Sequence, residues 1–222
     1  HFGEDNILDA ERTNCNCETC NSYNMLKLSR ELFKITHDSK YMDFYENTYY
    51  NSILSSQNPE TGMTTYFQPM ATGYFKVYST EWDKFWCCTG SGMESFTKLG
   101  DTIYMHDENS LYVNFYQSSV LNWDEKNVTI TQESNIPDGK TAKFTFKGST
   151  DSDIYFRIPD WIAGTMQITV NGAKYTYQTV NGYAKVSGNR SNGDVIELTI
   201  PSKVRAYSLP DASNVYGFKY GP

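Results

Sequence analysis

The residues best suited to chemistry in this sequence are five cysteines in two tight clusters: Cys15, Cys17 and Cys20 within CNCETC, and the adjacent pair Cys87 and Cys88 within WCCTGSG. Thiolates are nucleophiles and soft metal ligands, and Glu18 sets a carboxylate between two of them. Glu18, Cys20, Cys87 and Cys88 offer one carboxylate and three thiols, which resembles a zinc site more than a disulfide framework. Other uses of the thiols compete with it. Adjacent cysteines do not easily close on each other, and an odd total leaves one thiol over, which weighs against a pure disulfide scaffold. A structural zinc knot normally brings CxxC twice, and here it occurs once, as Cys17 to Cys20. A thioredoxin-like role needs CxxC after the strand of a βαβ unit, which is missing. An N-terminal histidine such as His1 can bind copper with a second histidine, but His37 and His106 stand in unremarkable contexts.

The elements around these clusters are legible from the apolar spacing. From Glu18 to about Thr36, Met25, Leu26, Leu28, Leu32, Phe33 and Ile35 recur at helical intervals. His37-Asp38-Ser39 supplies a stop and a new cap, and Tyr41, Met42, Phe44, Tyr45, Tyr49, Ile53 and Leu54 form a second stripe that ends near Asn58-Pro59. Residues 60–86 show no sustained period and many aromatic rings, and are expected to form a long ordered loop with short strand pieces. A third helix is expected just past the cysteine pair, so Cys87 and Cys88 would sit at a helix N-terminus, where the dipole and free N–H groups lower a thiol pKa. From Leu111 onward short alternating segments follow one another, with turn signals such as Asn171-Gly172 and Asn181-Gly182 between them. The expected fold class is α+β: helices over residues 1–106, then an antiparallel β-sandwich over residues 107–222.

Composition narrows the partners. The 222 residues carry 26 acidic and 19 basic side chains, a net charge of −7 without a Lys/Arg run, which argues against nucleic acid and against an anionic membrane surface. No segment approaches the roughly 20 apolar residues of a membrane span, and the opening His1-Phe2-Gly3-Glu4-Asp5 is not of signal-peptide type. Aromatic residues make up 15% of the chain, with 18 tyrosines. Ring faces pack on the C–H surface of sugars while their polar tips bond hydroxyls, so a neutral carbohydrate ligand suits this surface.

Two stretches resemble a known family. Glu18-Thr19-Cys20-Asn21-Ser22-Tyr23-Asn24-Met25-Leu26-Lys27-Leu28 and Phe85-Trp86-Cys87-Cys88-Thr89-Gly90-Ser91-Gly92-Met93-Glu94-Ser95 look like the β-L-arabinofuranosidases of glycoside hydrolase families 127 and 146. The closing Phe218-Lys219-Tyr220-Gly221-Pro222 resembles a strand of the sandwich in the same proteins. The resemblance implies an (α/α)6 barrel followed by β-sandwich domains, with residues 1–106 as the later part of the barrel. It implies a zinc ion held by Glu18, Cys20, Cys87 and Cys88, with Cys87 as the nucleophile. Tyr66, in Thr65-Tyr66-Phe67-Gln68-Pro69, corresponds to a position that reaches the sugar. The family's general acid/base is the glutamate of a Glu-His-Phe stretch; aligned on His1-Phe2, it falls immediately before His1, which would itself lie against the substrate. Glu4 is the local substitute for that acid, with a surface role as its plainer reading. Cys15 and Cys17 depart from the family's pattern.

On this reading the chain is the C-terminal part of a retaining glycosidase acting on terminal β-L-arabinofuranosyl units of plant-derived glycans, with the rest of the catalytic domain upstream and little activity on its own. Two other readings compete: a non-catalytic carbohydrate-binding fragment with a structural zinc site, and the same machinery with another sugar specificity.

Overall fold

The computed structural model describes residues 4–222, and divides the chain into two compact units. The first gathers residues up to Lys34, Phe44–Leu99 and Val204–Lys219; the second gathers Ile35–Asp43, Gly100–Lys203 and Tyr220–Pro222. The fold class is α+β. No described helix is long and apolar enough to cross a membrane.

Helix α1 spans Thr19–Thr36 and buries Tyr23, Leu26, Ser29 and Phe33 along one face, the i, i+3, i+4 pattern that drives amphipathic helices. Helix α2, Lys40–Thr48, does not run straight to Asn58: it passes into a π-helical turn at Tyr49–Ile53 and a tight 3-10 turn at Leu54–Ser56. The register shift brings Ser52 to face α1, where its hydroxyl donates to Ser22 Oγ at 2.8 Å. Helix α3, Cys87–Thr97, begins at the cysteine pair, with Trp86 in an extended conformation as its N-cap. Between Ser56 and Trp86 the chain forms the expected ordered loop, held by single bridges of Gln57 to Thr64, Thr65 to Tyr78 and Asn16 to Gln68.

The sandwich unit contains β1 (Tyr104–His106), β2 (Ser110–Val113), β3 (Ser119–Trp123), β4 (Val128–Ser134), β5 (Thr141–Lys147), β6 (Asp153–Arg157), β7 (Gln167–Val170), β8 (Ala173–Tyr175), β9 (Gln178–Val180), β10 (Tyr183–Val186) and β11 (Val195–Thr199). One sheet has the order β1-β2-β6-β10-β9 and the other β3-β4-β5-β11-β7-β8. Strict alternation sorts the side chains: Ala142, Phe144 and Phe146 of β5 are buried while Thr141, Lys143 and Lys147 are exposed. Phe144 packs on Phe156 of β6 with ring centroids 4.9 Å apart, and Ile130, Ile154, Ile196 and Leu198 join the same core.

Two features correct the sequence expectation of a purely antiparallel sandwich that includes the C-terminal strand. β2 pairs with β6 in parallel, Leu111 opposite Ile154. The cause is connectivity: after β2 the chain crosses to the other sheet, makes the three-strand meander β3-β4-β5, and returns as β6 in the original direction. The last strands, β12 (Val204–Leu209) and β13 (Ala212–Tyr220), pair only with one another and belong to neither sandwich sheet. Their turn holds the N-terminal segment, since the Asp211 carboxylate accepts the Leu8 and Asp9 N–H groups at 2.8 and 2.7 Å.

The two Asn-Gly turns behave as their sequence dictates. Asn171-Gly172 joins β7 to β8 and Asn181-Gly182 joins β9 to β10, each with positive φ at both residues, the type I′ geometry that suits a two-residue hairpin. Gly182 is required for a second reason, because a Cβ there would lie 1.9 Å from Ser39 Oγ. The α1–α2 corner packs on that turn, with the Ser39 N–H donating to the Asn181 carbonyl at 3.0 Å. Deeper in the same unit Arg157 is fully buried, donates to the Asn114 carbonyl at 2.6 Å and pairs with Asp43. The Asn114 side chain in turn accepts from Tyr183 at 2.7 Å and donates to the Thr102 carbonyl at 3.1 Å.

Candidate metal centre

Two helix N-termini meet at the cysteines. Glu18 immediately precedes α1 and Cys20 lies in its first turn, while Cys87 and Cys88 are the first two residues of α3. The free N–H groups and partial positive charge of both helix ends therefore bear on one small volume that carries the acidic groups. The candidate ligand atoms of Glu18, Cys20, Cys87 and Cys88 all lie within 4.8 Å of one another. The Cys20 and Cys88 sulfurs are 3.3 Å apart and those of Cys87 and Cys88 4.0 Å. These values bracket the ~3.8 Å edge of a tetrahedron with metal–sulfur bonds of ~2.3 Å. The group is one that could hold a metal ion, and three thiols with a carboxylate favour a borderline-soft divalent ion over calcium or magnesium.

Several residues outside the ligand set fix this arrangement. Thr19, between Glu18 and Cys20, is fully buried; its N–H donates to the Tyr66 carbonyl at 3.0 Å and its hydroxyl to the Thr65 carbonyl at 3.0 Å. Tyr66 is thus pinned to the start of α1. Gln68 anchors the same loop to the α2 extension by donating to the Ser52 carbonyl and accepting from Ser55 Oγ at 2.7 Å. Gly92 on α3 permits close approach to the loop, since a Cβ there would sit 3.1 Å from Thr64 Cγ2. Ser91, one turn beyond Cys87, places its Oγ 2.9 Å from the Cys20 sulfur.

The three thiols differ in exposure. Cys88 is 0% exposed, Cys20 is half-buried and Cys87 is exposed. A hydrogen bond from the Tyr66 hydroxyl, followed by one from Cys20, holds the Cys87 thiol below its ordinary pKa. The same bond, with the negative field of Glu18 next, pushes Tyr66 up to about 12. Burial, then the hydrogen bond to Cys20, pushes the Cys88 thiol up. The thiolate in the set is therefore favoured where a ligand from solution can reach it.

The structure brings together Glu18, Cys20, Cys87, Cys88 and Tyr66 of the expected site residues. His1 lies outside the described residues. Glu4 is exposed and is not among the clustered ligands. Cys15 and Cys17 also stand outside that group, and all five cysteines are free thiols. Cys17 has φ 45°, its sulfur lies 3.5 Å from Met70 Sδ, and burial pushes its thiol up. Cys15 lines a cavity of about 330 Å³ together with Asn14, Tyr66, Phe67, Phe75 and Trp86. Sequence reasoning assigned no role to Thr19, Ser91 or Trp86; the signal available for the first two was a small hydroxyl residue between ligands and one turn beyond a ligand.

The catalytic-domain model of the GH127 β-L-arabinofuranosidases matches residues 1–101, and the middle-domain model of the same proteins matches residues 110–202. The chain belongs to the GH127 β-L-arabinofuranosidase family. It is 22% identical to a non-reducing end β-L-arabinofuranosidase of Bifidobacterium longum subsp. longum, over 90% of this chain and 33% of that protein. Among solved structures it resembles a GH127 β-L-arabinofuranosidase from Geobacillus stearothermophilus T6, with a TM-score of 0.84 and 23% identity over 95% of this chain and 36% of the other. It also resembles a further GH127 β-arabinofuranosidase, with a TM-score of 0.86 and 24% identity over 99% of this chain and 38% of the other. The chain thus spans about a third of the length of these relatives.

Proposed function

We propose that this chain carries the zinc–thiolate centre of a retaining glycosidase that removes terminal β-L-arabinofuranosyl units from plant-derived glycans. The observation that carries the reading is the cluster of Glu18, Cys20, Cys87 and Cys88 at two helix N-termini, their ligand atoms within 4.8 Å of one another. Zinc, when bound, keeps its coordinating thiols deprotonated. Cys87 is the most exposed of the three sulfurs, in keeping with the family resemblance that makes it the nucleophile. Its sulfur forms a bond to the anomeric carbon as the glycosidic C–O bond breaks, and water then displaces the sulfur, so that two inversions give net retention. Most retaining glycosidases use a carboxylate for this attack; here Cys87 replaces it. Tyr66 donates to the attacking sulfur and keeps it oriented.

The remaining assignments rest on the family resemblance. The proton for the departing oxygen comes from the glutamate aligned just before His1, and His1 lies against the sugar. Helices α1 to α3, within residues 1–106, form the later part of an (α/α)6 barrel whose other helices lie upstream, and residues 107–222 form the sandwich-bearing part.

Metal analysis of the purified chain tests the centre, with stoichiometric zinc expected and its loss in Cys20→Ser and Cys88→Ser. In the protein extended to the length of its relatives, Cys87→Ser abolishes turnover of an aryl β-L-arabinofuranoside and leaves sugar binding intact, while the 222-residue chain turns it over negligibly. Absence of zinc from the wild type, or turnover by Cys87→Ser, would sink the proposal.

A further inference from the structure

We infer that Ser91 is a positioning residue of the metal centre: its hydroxyl donates to the Cys20 sulfur and holds that ligand, carried by α1, against the ligand pair carried by α3. The inference rests on the proposed zinc centre and adds to it a group outside the four ligands.

Ser91 stands one helical turn beyond the cysteine pair, four residues after Cys87 and three after Cys88, so its side chain shares a face of α3 with both thiols. Its Oγ reaches two acceptors. One is the Cys87 carbonyl of its own helix at 3.2 Å, and the other is the Cys20 sulfur of α1 at 2.9 Å. A hydroxyl has one proton and cannot donate fully to both. A metal-bound thiolate carries no proton, so its contact with Oγ runs one way, from O–H to sulfur. A hydrogen bond to a charged acceptor is stronger than one to a neutral carbonyl, which favours the sulfur. The carbonyl loses little, because the helix supplies it with the Ser91 N–H.

Local helix chemistry gives no reason for a hydroxyl at this position. Serine forms helix less readily than alanine, and a serine bonded to the carbonyl four residues back slightly destabilises its helix. The reason lies at Cys20. Two side-chain atoms of α3 approach its sulfur, Cys88 Sγ at 3.3 Å and Ser91 Oγ at 2.9 Å. Two thiolates that close repel one another, and a neutral donor on one of them offsets part of the repulsion. Groups that bond a metal ligand from outside in this way typically contribute about 10- to 100-fold to metal affinity.

The test compares Ser91→Ala and Ser91→Thr with the wild-type 222-residue chain, using zinc and cobalt(II) as probes. Zinc affinity is read by competition with a chromogenic chelator, and the sulfur-to-cobalt charge-transfer band by absorption. Ser91→Ala removes the hydroxyl and suits a helix. It is expected to weaken zinc binding about tenfold and to move the band to lower energy, because the bond that stabilised the sulfur lone pairs is gone. Ser91→Thr keeps a hydroxyl and is expected to restore both. A merely structural role would change affinity without moving the band. Wild-type affinity in Ser91→Ala, weaker binding with the band unmoved, or a loss in Ser91→Thr as large as in Ser91→Ala each overturns the inference and leaves the zinc centre standing. A wild-type chain that takes up neither metal overturns the zinc centre itself, and the inference with it.

Discussion

The sandwich unit and the cysteine-bearing unit reach order by different means. In the sandwich, alternation places Phe144, Phe146, Phe156, Ile196 and Leu198 in one continuous buried cluster, and the polar groups trapped beside it find partners around Arg157. In the cysteine-bearing unit the buried face of α1 is matched by an outer face on which Met25 and Leu28 are exposed. Phe75, Phe85, Met93 and Trp82, the last 88% exposed, add to the uncovered apolar surface. That unit has a smaller buried core, Tyr23, Leu26, Phe33, Tyr45, Tyr49 and Ile53, supplemented by side-chain-to-backbone bonds at Thr19, Gln68 and Ser55. Its cysteine cluster lies at the edge of that core, so on the proposed reading the order there depends on the metal that fills the cluster, whereas order centred on the sandwich core does not.

If the proposed zinc is bound, its removal is the strongest way to break this contrast. A structural zinc site contributes on the order of 10 kcal/mol to the fold that holds it. Chelation is expected to raise amide exchange of α1 and α3 toward unprotected rates while β4, β5, β6 and β11 keep their protection. Equal loss of protection in the strands would show that the sandwich depends on the cysteine centre, and the contrast would fail.

The reverse perturbation is smaller. Asp43→Ala removes one carboxylate that pairs with Arg157, which is 0% exposed. Burial pushes the Asp43 carboxyl up against the pull of Arg157, so the pair is sensitive to loss of either member. The expected cost is about 3 kcal/mol, the lower end for breaking a buried pair, read as a lower urea midpoint of the strand signal. Zinc content is expected to stay stoichiometric, and zinc loss in this variant would show that the two kinds of order are coupled.

The same contrast governs what could be read from the sequence. The sandwich strands were legible wherever a buried alternation was long enough: β5, β6 and β11 are evident, and the Asn-Gly turns fixed two hairpins. β8 and β9 were not evident, because three residues with little burial carry no periodic signal. The parallel β2–β6 pairing was hidden because it depends on where the chain changes sheets, which no local pattern encodes. At the cysteines, residue types and spacing pointed to the four residues whose ligand atoms the structure brings together and to the helix start, and family resemblance selected among the alternative uses of the thiols. What they could not give was the exposure that separates Cys87 from Cys88, nor the approach of Tyr66 to the start of α1, which depends on how the loop is pinned to Thr19.

The smallest expected effect tests whether the sandwich also relies on exposed charge at its turns. Asp194 accepts the Ser191 N–H at 2.8 Å and the Asn171 side-chain amide at 2.9 Å, and these bonds, the backbone one first, hold its carboxyl below the ordinary value. A carboxyl depressed in the folded state contributes stability above the unfolded pKa of about 3.9, and loses it as pH falls through the lower folded value. Asp194→Asn keeps one acceptor and removes the titration. Between pH 5 and pH 2.5 the wild-type Tm is expected to fall slightly more than that of the variant, with the two differing most at pH 5. Parallel curves across that range would mean that the turn is held by Asn171-Gly172 alone. The sandwich would then owe its order to core and backbone, with no measurable share from this carboxylate.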